Sequence, residues 1–407
     1  MTLDIDFVRA QFPAFSSPVL DGQAFFENAG GSYTCKQVID RLTRYYVERK
    51  VQPYSAYDAS RLAGEEMDEA RTRLAAIMGV DTDELSFGPS TTQNTYVLAH
   101  AFGDYLQAGD AIVVTNQDHE ANTGPWRRLA DRGIELREWQ IDPDTGHLDP
   151  ANLTALLDDK VKLVCFPHCS NVVGEINDVA GICKIAHAAG AVTCVDGVSY
   201  VPHGIPDVSK LGTDIYLFSA YKTYGPHQGV MTIKRELGEK LPNQAHYFNA
   251  DCLYKRFTPA GPDHAQIAAS AGMADYIDAL YAHHNGGGAD AKGRGSYVHD
   301  LMRAHEIKLL QPLLDYLGDK NSVRLIGPRD ATQKASTVAV ALQQRGEDVA
   351  GELVQYGIMA GGGDFYGVRC LEAQGVDPDH GVLRLSFVHY TQKEEVDKLI
   401  SSLERVL

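Results

Sequence analysis

The sequence predicts an α/β fold, with a large domain built on a mostly parallel sheet between helices and a smaller C-terminal α/β domain. Three observations predict it. Between about residues 84 and 235, short β-rich runs alternate with helical patterns, as expected of strands joined by crossover helices. At 407 residues and 44% hydrophobic, the chain can bury a large core and divide in two. A glycine-rich tract, HHNGGGADAKGRGS at 283–296, then breaks the pattern before strands and helices resume.

The first 80 residues carry a short helix (DFVRAQF), an apolar stretch (AFFENAGG) and two helical patterns near 36–50 and 59–78. They read as an arm with helices flanking the sheet. Seven β-rich runs follow: ELSFG, AIVVTN, IELREWQ, KLVCFPH, AVTCVDG, DIYLFSA and GVMTIK. Helical patterns separate several of them, at TQNTYVLAHAFGDYL, through WRRLADRG and at VAGICKIAHAAG. Beyond the glycine-rich tract, YVHDLMRAHEIKLLQPLLDYL has apolar residues at three- and four-residue spacing. STVAVAL and VLRLSFV read as strands and KEEVDKLISSLERVL as a final helix. The expected division is an arm over 1–25 packing with the small domain, a large domain over 26–285 and a small domain over 286–407.

Composition excludes several functions. Net charge is −17 and no Lys/Arg run exceeds a pair, which argues against nucleic acid or an anionic membrane as partner. The N-terminal MTLDIDFVRAQFPAF lacks a basic start and an apolar run, and no stretch approaches a membrane span. A cytoplasmic protein with a small-molecule partner is expected. Seven cysteines show no CxxC spacing, so neither a metal site nor a disulfide framework is implied.

The chemistry concentrates at strand ends. Lys222 lies where DIYLFSA breaks into a turn containing Gly225 and Pro226, and Asp196 ends the apolar run AVTCVDG. A buried strand ordinarily avoids a carboxylate. A lysine beside an aldehyde cofactor forms a Schiff base, and a carboxylate against a pyridine nitrogen keeps the ring an electron sink. Pyridoxal 5'-phosphate is the cofactor this pairing points to. Taken singly, Asp196 reads rather as a turn cap and Lys222 as a solvated loop residue.

Further strand ends supply what a phosphate and a ring need. GPSTTQN places Ser90, Thr91 and Thr92 at a helix start, where free N–H groups and hydroxyls make an anion pocket or an ordinary cap. His119 follows IVVTN, where its imidazole can lie over a flat ring or face solvent. Asn171 follows KLVCFPH, able to meet a ring hydroxyl or close an Asx-turn. Arg384 stands inside VLRLSFV and needs a carboxylate, from a substrate or from the chain.

These segments resemble the class V aminotransferase and cysteine desulfurase family of fold-type-I pyridoxal phosphate enzymes. The stretches that carry the resemblance are STT, DHEAN, SNVVGE, VDG, the lysine turn with YGP after it, and RLSFVHYTQKEEVDKL. The resemblance implies Lys222 as the Schiff-base lysine, Asp196 as the pyridinium partner, His119 as the ring-stacking imidazole and Asn171 on the phenolic side. It implies Thr91 and Thr92, with Ser219, at the phosphate, and Arg384 as the clamp on a substrate α-carboxylate. Asn28 and Ala29 would line the substrate side.

The chain departs from the family pattern at Ser199 and Tyr221, which would retune cofactor contacts. A phosphate threonine lent by the neighbouring subunit is replaced near Gly261, whose N–H can serve instead. The resemblance thereby implies a homodimer with sites at the interface. In GIMAGGGDFYGVRC, Tyr366 stands where desulfurases place a thiol, and Cys370 lies four residues later.

A persulfide-forming desulfurase is therefore disfavoured. The leading expectation is an aminotransferase acting on a small amino acid, with C–S or other β-eliminating lyase chemistry next and epimerisation also open. A non-catalytic cofactor- or partner-binding homologue is the reading from another class. A dinucleotide-binding oxidoreductase lacks the GxGxxG its first strand would need.

Overall fold

The computed structural model describes residues 2–407. A short helix, Ile5–Arg9, and strand β1 (Ala24–Phe25) precede the main sheet. That sheet comprises β2 (Leu85–Gly88), β3 (Ala111–Thr115), β4 (Glu135–Trp139), β5 (Val161–Pro167), β6 (Val192–Asp196), β7 (Ile215–Ser219) and β8 (Gly229–Ile233). Its order is β2-β8-β7-β6-β5-β3-β4, and every neighbouring pair is parallel except the two that include β8. Each of the seven β-rich runs supplies one strand.

Helices cover both faces, which is why six of these strands read as near-continuous apolar runs, while β4, ELREW, is a half-exposed strand at the sheet edge. Alternate residues go to opposite sides. Tyr216 and Phe218 of β7 join one core cluster, Ile215 and Leu217 the other. The helix Thr91–Tyr105 packs Leu98 and Phe102 on the second face, while Asp58–Met78 packs Leu74 and Ile77 into the first cluster.

The C-terminal part holds β9 (Arg324–Leu325), β10 (Thr337–Ala341), β11 (Ile358–Met359), β12 (Gly361–Gly363) and β13 (Val382–Ser386). Four of them form an antiparallel sheet in the order β12-β13-β10-β9, and β11 pairs in parallel with β1. Leu310, Leu313, Val338, Leu383 and Leu399 give it a core of its own.

The glycine-rich tract differs from expectation. It is helical from Ala291, within a helix running to Gly318. Asp290 caps that helix by accepting from the Gly293 N–H at 2.7 Å. Gly295 lets it pack closely, because a Cβ there would lie 2.9 Å from Ile77 Cγ2. The helix expected through WRRLADRG is present as a short α-helix, Gly124–Arg127, that tightens into the 3-10 helix Arg128–Arg132. Among the described residues, no helix is long and apolar enough to cross a membrane.

Candidate active site

The parallel strands of the main sheet deliver their side chains to one edge, where ligands of open α/β sheets bind. After β2, Ser90 caps the helix Thr91–Tyr105 by accepting from the Gln93 N–H at 3.1 Å. Thr91 Oγ1 lies 2.8 Å from Ser219 Oγ at the end of β7. Two hydroxyls thus meet at a helix N-terminus, a setting that favours an anion. Gly229 allows the approach: a Cβ there would lie 2.6 Å from Thr91 N.

Asp196 ends β6, and Lys222 closes the 3-10 turn Ala220–Lys222 after β7. An inner cleft of about 50 Å³ is lined by Thr91, Thr92, His119, Asn171, Asp196, Ser199, Ser219, Tyr221 and Lys222. Thr92, His119, Asn171, Tyr221 and Lys222 also line a cavity of about 530 Å³, together with Glu27, Ala29, Tyr366 and Arg384. Asn28 lines a narrow crevice with Ala29, Ser199 and Lys222, its amide donating to Ser386 O at 3.3 Å and accepting from the Tyr390 hydroxyl. Gly261 is not brought into this cluster. It borders a separate cavity of about 350 Å³ with Gly88, Gln93 and Thr258.

Burial sets the protonation states. It lowers the Lys222 pKa to about 8, with Arg384 adding to the effect and Asp196 and Glu27 opposing it. Burial raises Asp196 to about 6, against the Val198 N–H that donates to its Oδ1 at 2.7 Å and the Lys222 charge. His119 falls to about 3, chiefly by burial and then by the Lys222 and Arg384 cations. It is a neutral imidazole whose Nδ1 accepts from the Ala121 N–H at 3.0 Å, which leaves its proton on Nε2.

Arg384 reaches the outer cavity from β13. Its Nη2 lies 2.6 Å from Glu27 Oε1, its Nη1 donates to Asn171 O at 3.3 Å, and its Cζ stands 3.7 Å from the centre of the Phe365 ring. The Asn171 Nδ2 donates to Phe365 O at 2.8 Å, while its buried Oδ1 has no partner in the chain. Phe365 and Tyr366 both have positive φ, 52° and 56°, a conformation that costs side-chain-bearing residues and concentrates at functional sites. Tyr366 is 71% exposed, with its ring 5.3 Å from that of His119. Cys370 lies in the helix Val368–Ala373, fully buried, its pKa pushed up to about 12 by burial.

Three residues of the site escape the sequence reading. Asp118 lines the inner cleft beside His119, and burial followed by repulsion from Asp196 raises its pKa well above the usual carboxylate range. Glu27 precedes Asn28, and Phe365 precedes Tyr366. Each adjoins a residue already singled out, and adjacency was the one signal available.

The aminotransferase class-V family model matches residues 24–255 and 295–399. An aminotransferase-like protein, FGM3, of Gibberella zeae is 34% identical, with 100% of this chain and 99% of that protein covered. A cysteine desulfurase of Serratia proteamaculans is 30% identical, with 100% and 99% covered. Among solved structures, the cysteine desulfurase of Thermococcus onnurineus NA1 superposes with a TM-score of 0.85 at 24% identity, covering 100% of this chain and 98% of that one. The fold is fold-type I, and the chain belongs to the class V aminotransferase family.

Members of this family use pyridoxal phosphate, and the residues present fit it. Paired hydroxyls at a helix N-terminus suit its phosphate, and a carboxylate ionised above about pH 6 suits a pyridine nitrogen. The unpartnered Asn171 Oδ1 is a buried acceptor free for the ring's polar edge.

Proposed function

We propose that the chain is an aminotransferase acting on a small amino acid. When bound, pyridoxal phosphate supplies an electron-withdrawing ring that labilises bonds at the substrate Cα. The chain's own residues do the rest. Lys222 anchors the cofactor and then carries the Cα proton on Nζ, for which a pKa near 8 is suited because part of the amine is neutral at physiological pH. Asp196 would face the pyridine nitrogen and His119 would stack on the ring. Thr91, Thr92 and Ser219 would hold the phosphate, while Ser199, Tyr221 and Asn171 would border the ring. Arg384 receives the α-carboxylate, with Asn28 and Ala29 forming the substrate wall.

One observation carries the reading away from a persulfide-forming desulfurase: Tyr366, not a thiol, stands exposed at the cavity beside His119. Persulfide formation needs a thiolate, and the buried Cys370 stays protonated. A C–S lyase is the second reading, favoured by the relatives named cysteine desulfurases. The test is a panel of amino acids offered to the purified holoenzyme with a 2-oxo acid acceptor. Amino-group transfer without free ammonia or sulfide is expected. Pyruvate with ammonia would establish the lyase instead, sulfide with a protein persulfide the desulfurase, and no turnover of any amino acid a non-catalytic homologue.

The functional unit in this reading is a homodimer, supported by Tyr247 and Phe248, 87% and 69% exposed, in the segment leading to Gly261. Light scattering on the eluting protein should give twice the chain mass. A monomer would remove Gly261 from the site.

A further inference from the structure

The Arg384 guanidinium is already bonded inside the chain. Glu27, two residues beyond β1, reaches its Nη2 at 2.6 Å across the cavity that Lys222 also lines. The arrangement leaves little of the cation free. Phe365 covers one face, Nη1 donates to Asn171 O, and Nε is buried without a partner. A carboxylate grips a guanidinium in two bidentate ways, through Nη1 with Nη2 or through Nε with Nη2. Both use Nη2, the nitrogen that Glu27 holds.

A substrate carboxylate added beside Glu27 would put two negative charges on one buried cation, a costly arrangement in a low-dielectric site. Glu27 itself is lightly held. Its Oε2 has no hydrogen-bond partner, and its side chain keeps 28% exposure toward the cavity. Its seat is lined by glycines: a Cβ at Gly30 would lie 2.8 Å from Oε1, and one at Gly361 would lie 2.8 Å from Oε2. Gly361 is the β12 residue paired with Arg384 in the small sheet.

We propose that Glu27 is a displaceable counter-ion of Arg384, occupying the carboxylate clamp in the resting protein and yielding it to the carboxylate of the substrate. The inference rests on reading this cavity as an amino-acid site, and it makes Glu27 a specificity-determining residue. Ligands with a carboxylate bind only to the fraction of molecules in which Glu27 has moved, so their apparent affinity is reduced by that fraction. Ligands with an amine and no carboxylate bind with the ion pair intact.

The experiment is calorimetric titration of the holoenzyme, of Glu27→Gln and of Arg384→Gln with propionate, ethylamine and L-alanine. Propionate should bind Glu27→Gln about tenfold more tightly than wild type, as expected where the clamp is open about a tenth of the time. Arg384→Gln should lose propionate binding, and ethylamine should bind wild type and Glu27→Gln alike. If Glu27→Gln binds propionate no better than wild type, or if propionate binds none of the proteins, the counter-ion proposal is overturned. Glu27→Asp, one methylene too short to hold Nη2, guards against a folding defect in the glutamine variant and should shift propionate in the same direction. A purely structural role for Glu27 would weaken both propionate and ethylamine. Tightened propionate binding with no response to ethylamine or L-alanine would uphold the counter-ion and reject the amino-acid reading.

Discussion

Lys222 and Lys334 are the two lysines that the fold buries, and burial lowers both, to about 8 and about 7. Their surroundings differ. Lys334 Nζ donates to Ile326 O at 2.8 Å and to Val173 O, tying two loops to the start of β10. The backbone closes around it: a Cβ at Gly327 or Gly174 would lie 2.9 Å or 3.1 Å from the ammonium. Lys222 has burial and neighbouring charges acting on it and no hydrogen bond among those influences. It borders the inner cleft and the outer cavity alike. A lowered pKa therefore does not identify a reactive amine. An amine that is lowered and also unsaturated beside a cavity does.

The largest expected effect separates the two lysines. Lys222→Ala should reduce turnover by roughly 10²–10⁴, the usual contribution of a positioned acid–base group, while its melting temperature stays near wild type. Lys334→Met should do the reverse. It strands two carbonyls in the interior and should cost about 2–4 kcal/mol of stability in denaturant unfolding, with cofactor binding retained. If Lys334→Met proves as stable as wild type, its hydrogen bonds carry no structural weight and the contrast fails.

Arg384→Ala carries the next effect. Apparent affinity for the amino-acid substrate should weaken about 10- to 100-fold, as for other buried charge-assisted contacts, while pyridoxal phosphate remains bound. An unchanged substrate affinity would remove Arg384 from the substrate side.

Much of this was legible in the sequence. Six strands of the main sheet were readable because strands buried on both faces show as apolar runs, β4 (ELREW) being a half-exposed edge strand, and Lys222 and Asp196 were conspicuous at strand ends. β12 was not, since three glycines present no alternation to read. The Glu27–Arg384 pair spans 357 residues, and no local spacing announces it. Asp118 reads as an ordinary loop acid until the strands of the sheet bury it. The helical start at Ala291 was hidden because glycine disfavours helix locally, and tight packing on Ile77 overrides that preference.

The smallest effect is a shift in pH dependence. In the cofactor-free protein, the rate of amine-selective labelling at Lys222 should rise with a midpoint near pH 8, where a free lysine titrates at about 10.4. Stability has a defined sign as well. Between pH about 8 and about 10.4 the unfolded chain holds the Lys222 proton that the folded one has released, so this residue makes stability rise with pH across that window. Lys222→Met should flatten that rise.

The most direct measurement compares the two lysines in one sample. The protein is loaded with pyridoxal phosphate, reduced with borohydride, digested and mapped by mass spectrometry. The pyridoxyl group should be found on the peptide containing Lys222, with Lys334 unmodified. A pyridoxyl group on Lys334, or on neither lysine, would contradict the assignment of Lys222 as the cofactor's amine.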